Sequence, residues 1–161
     1  MAKSLPAINP AYLEAMANLV ENNAFPRLMG MRLAAMDFDH ATITLDADER
    51  HLQPFGIVHG GVLATLIDTA TFWSAFMRLP PDMGLVNIDL KLNYLQPADQ
   101  GRLSAVGRCI RPGRTISYAE AHVYDDAGAL LAHGTSTLMA LPGQGIDVGV
   151  PKFLTGDRRP E

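Results

Sequence analysis

The stretch FGIVHGGVLATLIDTATFWSAF, residues 55 to 76, decides the fold. It is apolar on nearly every side of a helix, and its only charged side chain is Asp68. A helix that lacks a polar face must be enclosed by other elements, so a sheet has to wrap it. An isolated ionised carboxylate is costly to bury without a partner. Asp68 is therefore either solvated by a cleft or engaged in chemistry. The pattern predicts a helix from about Val58 to Met77, stopped by Pro80 and Pro81.

Working outward, residues 48 to 57 read as a loop around Gln53, Pro54 and Gly56. Before it, residues 30 to 47 read as extended: Ala41, Ile43 and Leu45 alternate with Thr42 and Thr44, and Asp39-His40 offers a turn. A short hairpin or a bent strand fits. Nearer the start, Asn9-Pro10 has the form of a helix cap followed by Leu13, Met16, Ala17 and Val20 on one stripe. Beyond the central helix, Val86, Ile88, Leu90, Leu92 and Tyr94 alternate with Asn87, Asp89, Lys91 and Asn93, the mark of one half-buried strand. Further strands are expected at about 101 to 111, 115 to 125 and 129 to 140, joined by turns at Arg111-Pro112-Gly113-Arg114 and Asp125-Asp126-Ala127-Gly128. Connections this short imply antiparallel neighbours.

The expectation is an α+β domain at residues 30–141, an antiparallel sheet wrapped around one long central helix. A helical extension precedes it at 1–29, and an irregular, Gly- and Pro-rich tail follows at 142–161. The outer face of the sheet keeps enough apolar residues to suggest a second copy of the chain.

At 161 residues, 48% apolar and 19% charged, the composition is that of one soluble domain. A formal charge of −4 and a pI near 5.7 give no electrostatic footprint for nucleic acid or an anionic membrane. Residues 60 to 77 approach the length of a membrane span, but Asp68, Thr65, Thr69, Thr71 and Ser74 interrupt them. No export signal is seen in the first residues. The single cysteine, Cys109, cannot form an internal disulfide and reads as core packing; both features fit a cytoplasmic location. His40, His51, His122 and His133 lack metal-ligand spacing, and neither a phosphate-binding P-loop nor a serine-nucleophile elbow is present.

The residues Gln53-Pro54-Phe55-Gly56-Ile57-Val58-His59-Gly60-Gly61, with Asp68 nine positions after the histidine, resemble the signature of hotdog-fold acyl-CoA thioesterases of the phenylacetate-degradation (PaaI-like) type. The likeness extends through VNIDLKLNYLQPA (86 to 98) and RPGRTISYAEAHVYDDAGALLAHGTSTL (111 to 138). It implies hydrolysis of an acyl-CoA thioester with no cofactor beyond the substrate's own CoA. In that reading the Gly60 N–H polarises the thioester carbonyl, and Asp68 acts as general base or nucleophile. Gln53 positions water or thioester, His59 shapes and polarises the same pocket, and Gly61 contributes to substrate binding there. Asn87 stands where the family often has Ser or Thr, and could hold the water or belong to a solvated strand face. Arg108, Arg111 and Arg114, around Gly113, are a candidate contact for the CoA phosphates. A homodimer, or a homotetramer, is implied.

Two other readings stay open. A hydratase or dehydratase of the same fold could use Asp46 and His51, which match a bare Asp-x-x-x-x-His spacing. A non-enzymatic acyl-CoA-binding protein is the other. The acyl group depends on how Phe72, Trp73, Phe76 and Met77 pack. Helix geometry adds one constraint: nine residues put Asp68 on the opposite side of the helix from His59, roughly 13 Å along the axis. One chain cannot bring both to one carbonyl, and an antiparallel pair of helices from two chains can.

Overall fold

The computed structural model describes residues 5 to 154. In chain order these form α1 (Pro10–Asn22), α2 (Ala24–Met29), β1 (Met31–Asp37), β2 (His40–Ala47), α3 (Gly60–Phe76), β3 (Met83–Asn87), β4 (Lys91–Tyr94), β5 (Gly101–Arg111), β6 (Ile116–Tyr124) and β7 (Leu130–Pro142). One seven-stranded sheet runs β1-β2-β5-β6-β7-β3, with β4 also on β7. Every pairing is antiparallel. The sheet packs around α3, which touches β1, β2, β3, β5, β6 and β7.

The helix sits close because the sheet is lined with small residues where it crosses. Ala41, Gly107, Ala121 and Gly134 are successive partners in one row across β2, β5, β6 and β7. A Cβ on Gly107 would lie 2.2 Å from the Ala70 carbonyl oxygen, and one on Gly134 2.8 Å from Ile67 Cγ2. Only glycine permits that approach. Leu66, Ile67, Ala70 and Phe76 are buried in this trough, each large side chain contributing about 1.5–3 kcal/mol. Between residues 61 and 76, the residues that are not buried are Gly61, Ala64, Thr65, Asp68, Thr69 and Phe72. They form one stripe, the side of α3 that the sheet leaves open.

The single strand expected at 85 to 94 is instead two segments on β7. Asn87 pairs with Leu138 and Lys91 with Thr135, so residues 88–90 oppose only 136–137. This is a β-bulge with one extra residue. It is held by the Asp89 carboxylate, which accepts from the Thr137 N–H at 2.9 Å, and by the Ser136 hydroxyl, which donates to the Asp89 carbonyl at 2.7 Å. The bulge reverses the alternation. Val86 and Ile88 turn outward, 38% and 53% exposed, while Leu85 and Asn87 on one side and Leu92 and Tyr94 on the other share the helix face.

At the start of the described chain, Asn9 caps α1 with Pro10 at its first position, as expected. The buried stripe is Tyr12, Met16 and Val20, turned slightly from the predicted one, and packs on β1. The short α2 was not expected; Asn23 ends α1 and caps α2 with its side chain. Asp39, at φ 62°, makes the turn of the β1–β2 hairpin. Residues 143–154 lack helices and strands but are anchored. Lys152 is buried and donates to the carbonyls of Phe76 and Leu79, both at 2.9 Å, at the end of α3, while Phe153 stacks on Phe38. Among the described residues no helix is long and apolar enough to cross a membrane.

Candidate active site

The start of α3 supplies the first half of the site. A helix leaves its first N–H groups without intrahelical acceptors, at the positive end of its dipole. Here His59 occupies the cap position, and its Nδ1 accepts from the Gly61 N–H at 2.8 Å. The His59 carbonyl takes the Val62 N–H at 2.9 Å. Of the first three amides, the Gly60 N–H is the one left unclaimed among the described residues. Both glycines stand close to neighbouring side chains: a Cβ on Gly61 would lie 2.9 Å from His59 Nδ1, and one on Gly60 2.9 Å from the Tyr94 ring, so a larger residue at either would push that side chain aside.

Gly60 opens into a cavity of about 430 Å³ that Gln53, Ile57, Leu63, Tyr94 and Gln96 also line. Gln53 is placed there by a tight turn in which its N–H donates to Ile57 and its carbonyl accepts from Gly56, both at 2.9 Å. Gln53 and Gly60 thus share one pocket. His59 is exposed and acts on that pocket through its cap, and the Gly61 amide is spent on His59.

Asp68 lies elsewhere, eight residues and roughly 12 Å farther along α3, and does not line the cavity. Its carboxyl is half-buried on the open stripe. Burial pushes its pKa above the usual carboxylate value, and the neighbouring Asn87 amide works against that rise. Asn87 donates to the Asp68 carbonyl and to Thr71 Oγ1, both at 3.2 Å, and the Thr71 hydroxyl donates to the same carbonyl at 2.8 Å. Of the two readings of Asn87, the solvated strand face is therefore incorrect: the bulge turns this residue onto the helix beside the acid.

The β5–β6 turn places Arg111 and Arg114 at the surface, without an ion-pair partner among the described residues. Arg108 differs: Glu120, its cross-strand neighbour, accepts from its Nε and Nη2 at 3.0 and 2.8 Å. Gly113 approaches the Ile116 carbonyl so closely that a Cβ would lie 1.9 Å from it, and its N–H donates to Ser117 Oγ at 3.1 Å. The hydratase-like pair does not assemble. Asp46 is exposed and bound to Arg102, whose hydrogen bond lowers its pKa. His51 is buried with Nδ1 accepting from Asp48 N and Nε2 donating to the Met29 carbonyl, so neither nitrogen is free.

Two residues near these groups were not among the candidates, Thr71 and Tyr94. Tyr94 lay in the predicted alternation as an inward strand residue, but its meeting with Gly60 carries no local sequence signal.

Comparison with known proteins bears on the family and the fold. The thioesterase superfamily matches residues 55–132, a span that includes His59, Gly60, Asp68, Asn87 and the β5–β6 turn. Over that span, 78 of its 161 residues, the chain is similar to the thioesterase superfamily. Its hotdog fold is shared with the crystal structure of a thioesterase from Haemophilus influenzae, with a TM-score of 0.78 at 25% identity over 87% of this chain and 97% of that one. In sequence, the 1,4-dihydroxy-2-naphthoyl-CoA hydrolase of Listeria monocytogenes is 26% identical over 110 residues, 68% of this chain and 89% of that protein. The Escherichia coli PaaI protein from the phenylacetic acid degradation operon matches in fold, with a TM-score of 0.73 at 20% identity over 81% of this chain and 93% of that one.

Proposed function

We propose that this protein hydrolyses an acyl-CoA thioester to the free acid and CoA at a site shared by two copies of the chain. The observation that carries the reading is the unclaimed Gly60 N–H, on a residue that lines the Gln53 cavity, while the half-buried acid of the same helix lies roughly 12 Å away. An N–H fixed at a helix start stabilises the oxygen that becomes negative as a thioester carbonyl is attacked. Asp68 from the second copy, brought beside it by antiparallel packing of the open stripes, either takes a proton from attacking water or attacks the carbonyl itself. The carbonyl carbon gains an oxygen, the C–S bond breaks, and the thiolate leaves and takes up the proton that water gave; where Asp68 itself attacks, water then hydrolyses the resulting anhydride, which releases the acid and restores the carboxylate. Gln53 orients the thioester or the water, and Arg111 and Arg114 receive CoA phosphates at the surface. No step requires a metal or a further cofactor, so EDTA should leave the rate unchanged.

The test is thiol release from aryl-, short-, medium- and long-chain acyl-CoAs, followed by complementation on the best substrate. Asp68→Asn and Gln53→Ala chains, each poor alone, are combined as purified heterodimers. With Gln53 and Asp68 drawn from different chains, one of the two sites carries both lesions and the other neither, so substantial activity returns. Heterodimers as poor as their parents would leave the shared site without support, and absence of thiol release from the whole panel would reject the hydrolase reading.

A further inference from the structure

We propose that the phenol of Tyr94 is a second hydrogen-bond donor to the thioester carbonyl, paired with the Gly60 N–H. The inference rests on the reading that Gly60 binds that oxygen. Tyr94 ends the short edge strand β4, on the face turned to α3, and its ring covers the Cα of Gly60. A Cβ built on Gly60 would lie 2.9 Å from Tyr94 Cζ and 3.1 Å from its hydroxyl oxygen. Backbone N and Cβ of one residue are about 2.5 Å apart, so the Tyr94 oxygen is at most about 5.6 Å from the Gly60 nitrogen. Two donors that each make a bond of about 2.9 Å to one oxygen can be up to about 5.8 Å apart. The pair therefore has the separation that a single acceptor can bridge.

Three further observations favour that use of the phenol. Tyr94 is 56% exposed, and its hydroxyl has no hydrogen-bond partner among the described residues. It lines the same cavity as Gln53 and Gly60. The ring also closes the side of Gly60 on which a Cβ would stand. A hydroxyl donor added to a helix-start amide makes the two-donor arrangement that stabilises an oxyanion best, and removing one such donor typically slows turnover about 10²–10³-fold.

The experiment compares wild type, Tyr94→Phe and Tyr94→Leu, with Asp68→Asn as the reference for lost chemistry. Thiol release gives kcat and KM, and infrared difference spectra give the carbonyl stretch of a bound ketone analogue in which a methylene replaces the thioester sulfur. The expected result is that Tyr94→Phe keeps the wild-type melting temperature and KM within about threefold. Its kcat should fall about a hundred- to a thousandfold, with the carbonyl band moving back toward its value in water-free solvent. If Tyr94→Phe turns over and polarises the carbonyl like wild type, the inference is overturned. Loss confined to Tyr94→Leu overturns it too, because the ring is then only a wall. Wild type hydrolysing thioesters while Asp68→Asn does not shows that the hydrolase reading stands in either case. A wild type inert on every thioester ends both.

Discussion

Replacing Asp68 by Asn separates a catalytic acid from a structural one, because Thr71 and Asn87 anchor residue 68 through its backbone carbonyl, and the Asn87 amide that also steadies the carboxylate can still bond an Asn side-chain oxygen. Thr71 and Asn87 both donate to that carbonyl, and an Asn of the same shape leaves them intact. What changes is the charge, whose burial holds the carboxyl above its ordinary pKa. An acid with a raised folded pKa is protonated more readily in the folded protein than in the unfolded chain. The resulting destabilisation is absent below the unfolded pKa, grows as pH rises through the window between the two values, and is complete above the folded one. At neutral pH Asp68→Asn should therefore melt at the wild-type temperature or higher, and the difference should vanish in acid. Turnover should fall about 10²–10⁴-fold, the usual contribution of a positioned base. The wild-type rate should lose activity in acid, with its midpoint above the ordinary carboxylate value. The assays are thiol release across pH and thermal melts of both proteins. A marked drop in melting temperature with turnover largely kept would refute the reasoning and make Asp68 a structural acid.

Two stability predictions concern the frame that holds the site. Gly107→Ala should destabilise by about 1–3 kcal/mol or more in urea melts, since the new Cβ meets the Ala70 carbonyl at 2.2 Å; without that contact the change would stabilise slightly through the unfolded chain, so the sign decides. Lys152→Met should cost about 1–3 kcal/mol by leaving the Phe76 and Leu79 carbonyls short of a donor, with thiol release unchanged where the protein is folded; equal stability would mean the C-terminal segment does not clamp α3.

Much of the fold could be read locally. The apolar helix, the β1–β2 hairpin and the turns before β6 and β7 follow from periodicity and turn residues that sit within a few positions of one another. The features that escaped depend on distant partners. Nothing near Ile88 interrupts the alternation from Val86 to Tyr94; the bulge exists because Asp89 and Ser136, far apart in sequence, bond across the sheet. A lysine in a Gly- and Pro-rich segment reads as solvated, and Lys152 is buried because the end of α3 presents it with two carbonyls. The site residues split the same way. Gln53, His59, Gly60 and Asp68 lie close enough in sequence to form a pattern, whereas the division of labour at the helix start, with His59 occupying Gly61 and leaving Gly60, needed coordinates.

The bulge is also what lets one edge of the sheet serve both halves of the site. Asn87 and Tyr94 are seven positions apart, and in a regular strand an odd separation puts two side chains on opposite faces. The one extra residue at 88–90 restores them to the same face, so Asn87 reaches the Asp68 turn of α3 while Tyr94 lies on Gly60. A strand without it could dress the start of the helix or its acid, but not both. Because the site as proposed joins the start of one helix to the acid of another, each chain needs both the start and the middle of its own helix prepared. The irregularity that gave Asn87 the look of a solvated strand residue is thus what the proposed symmetric pair of sites would rely on.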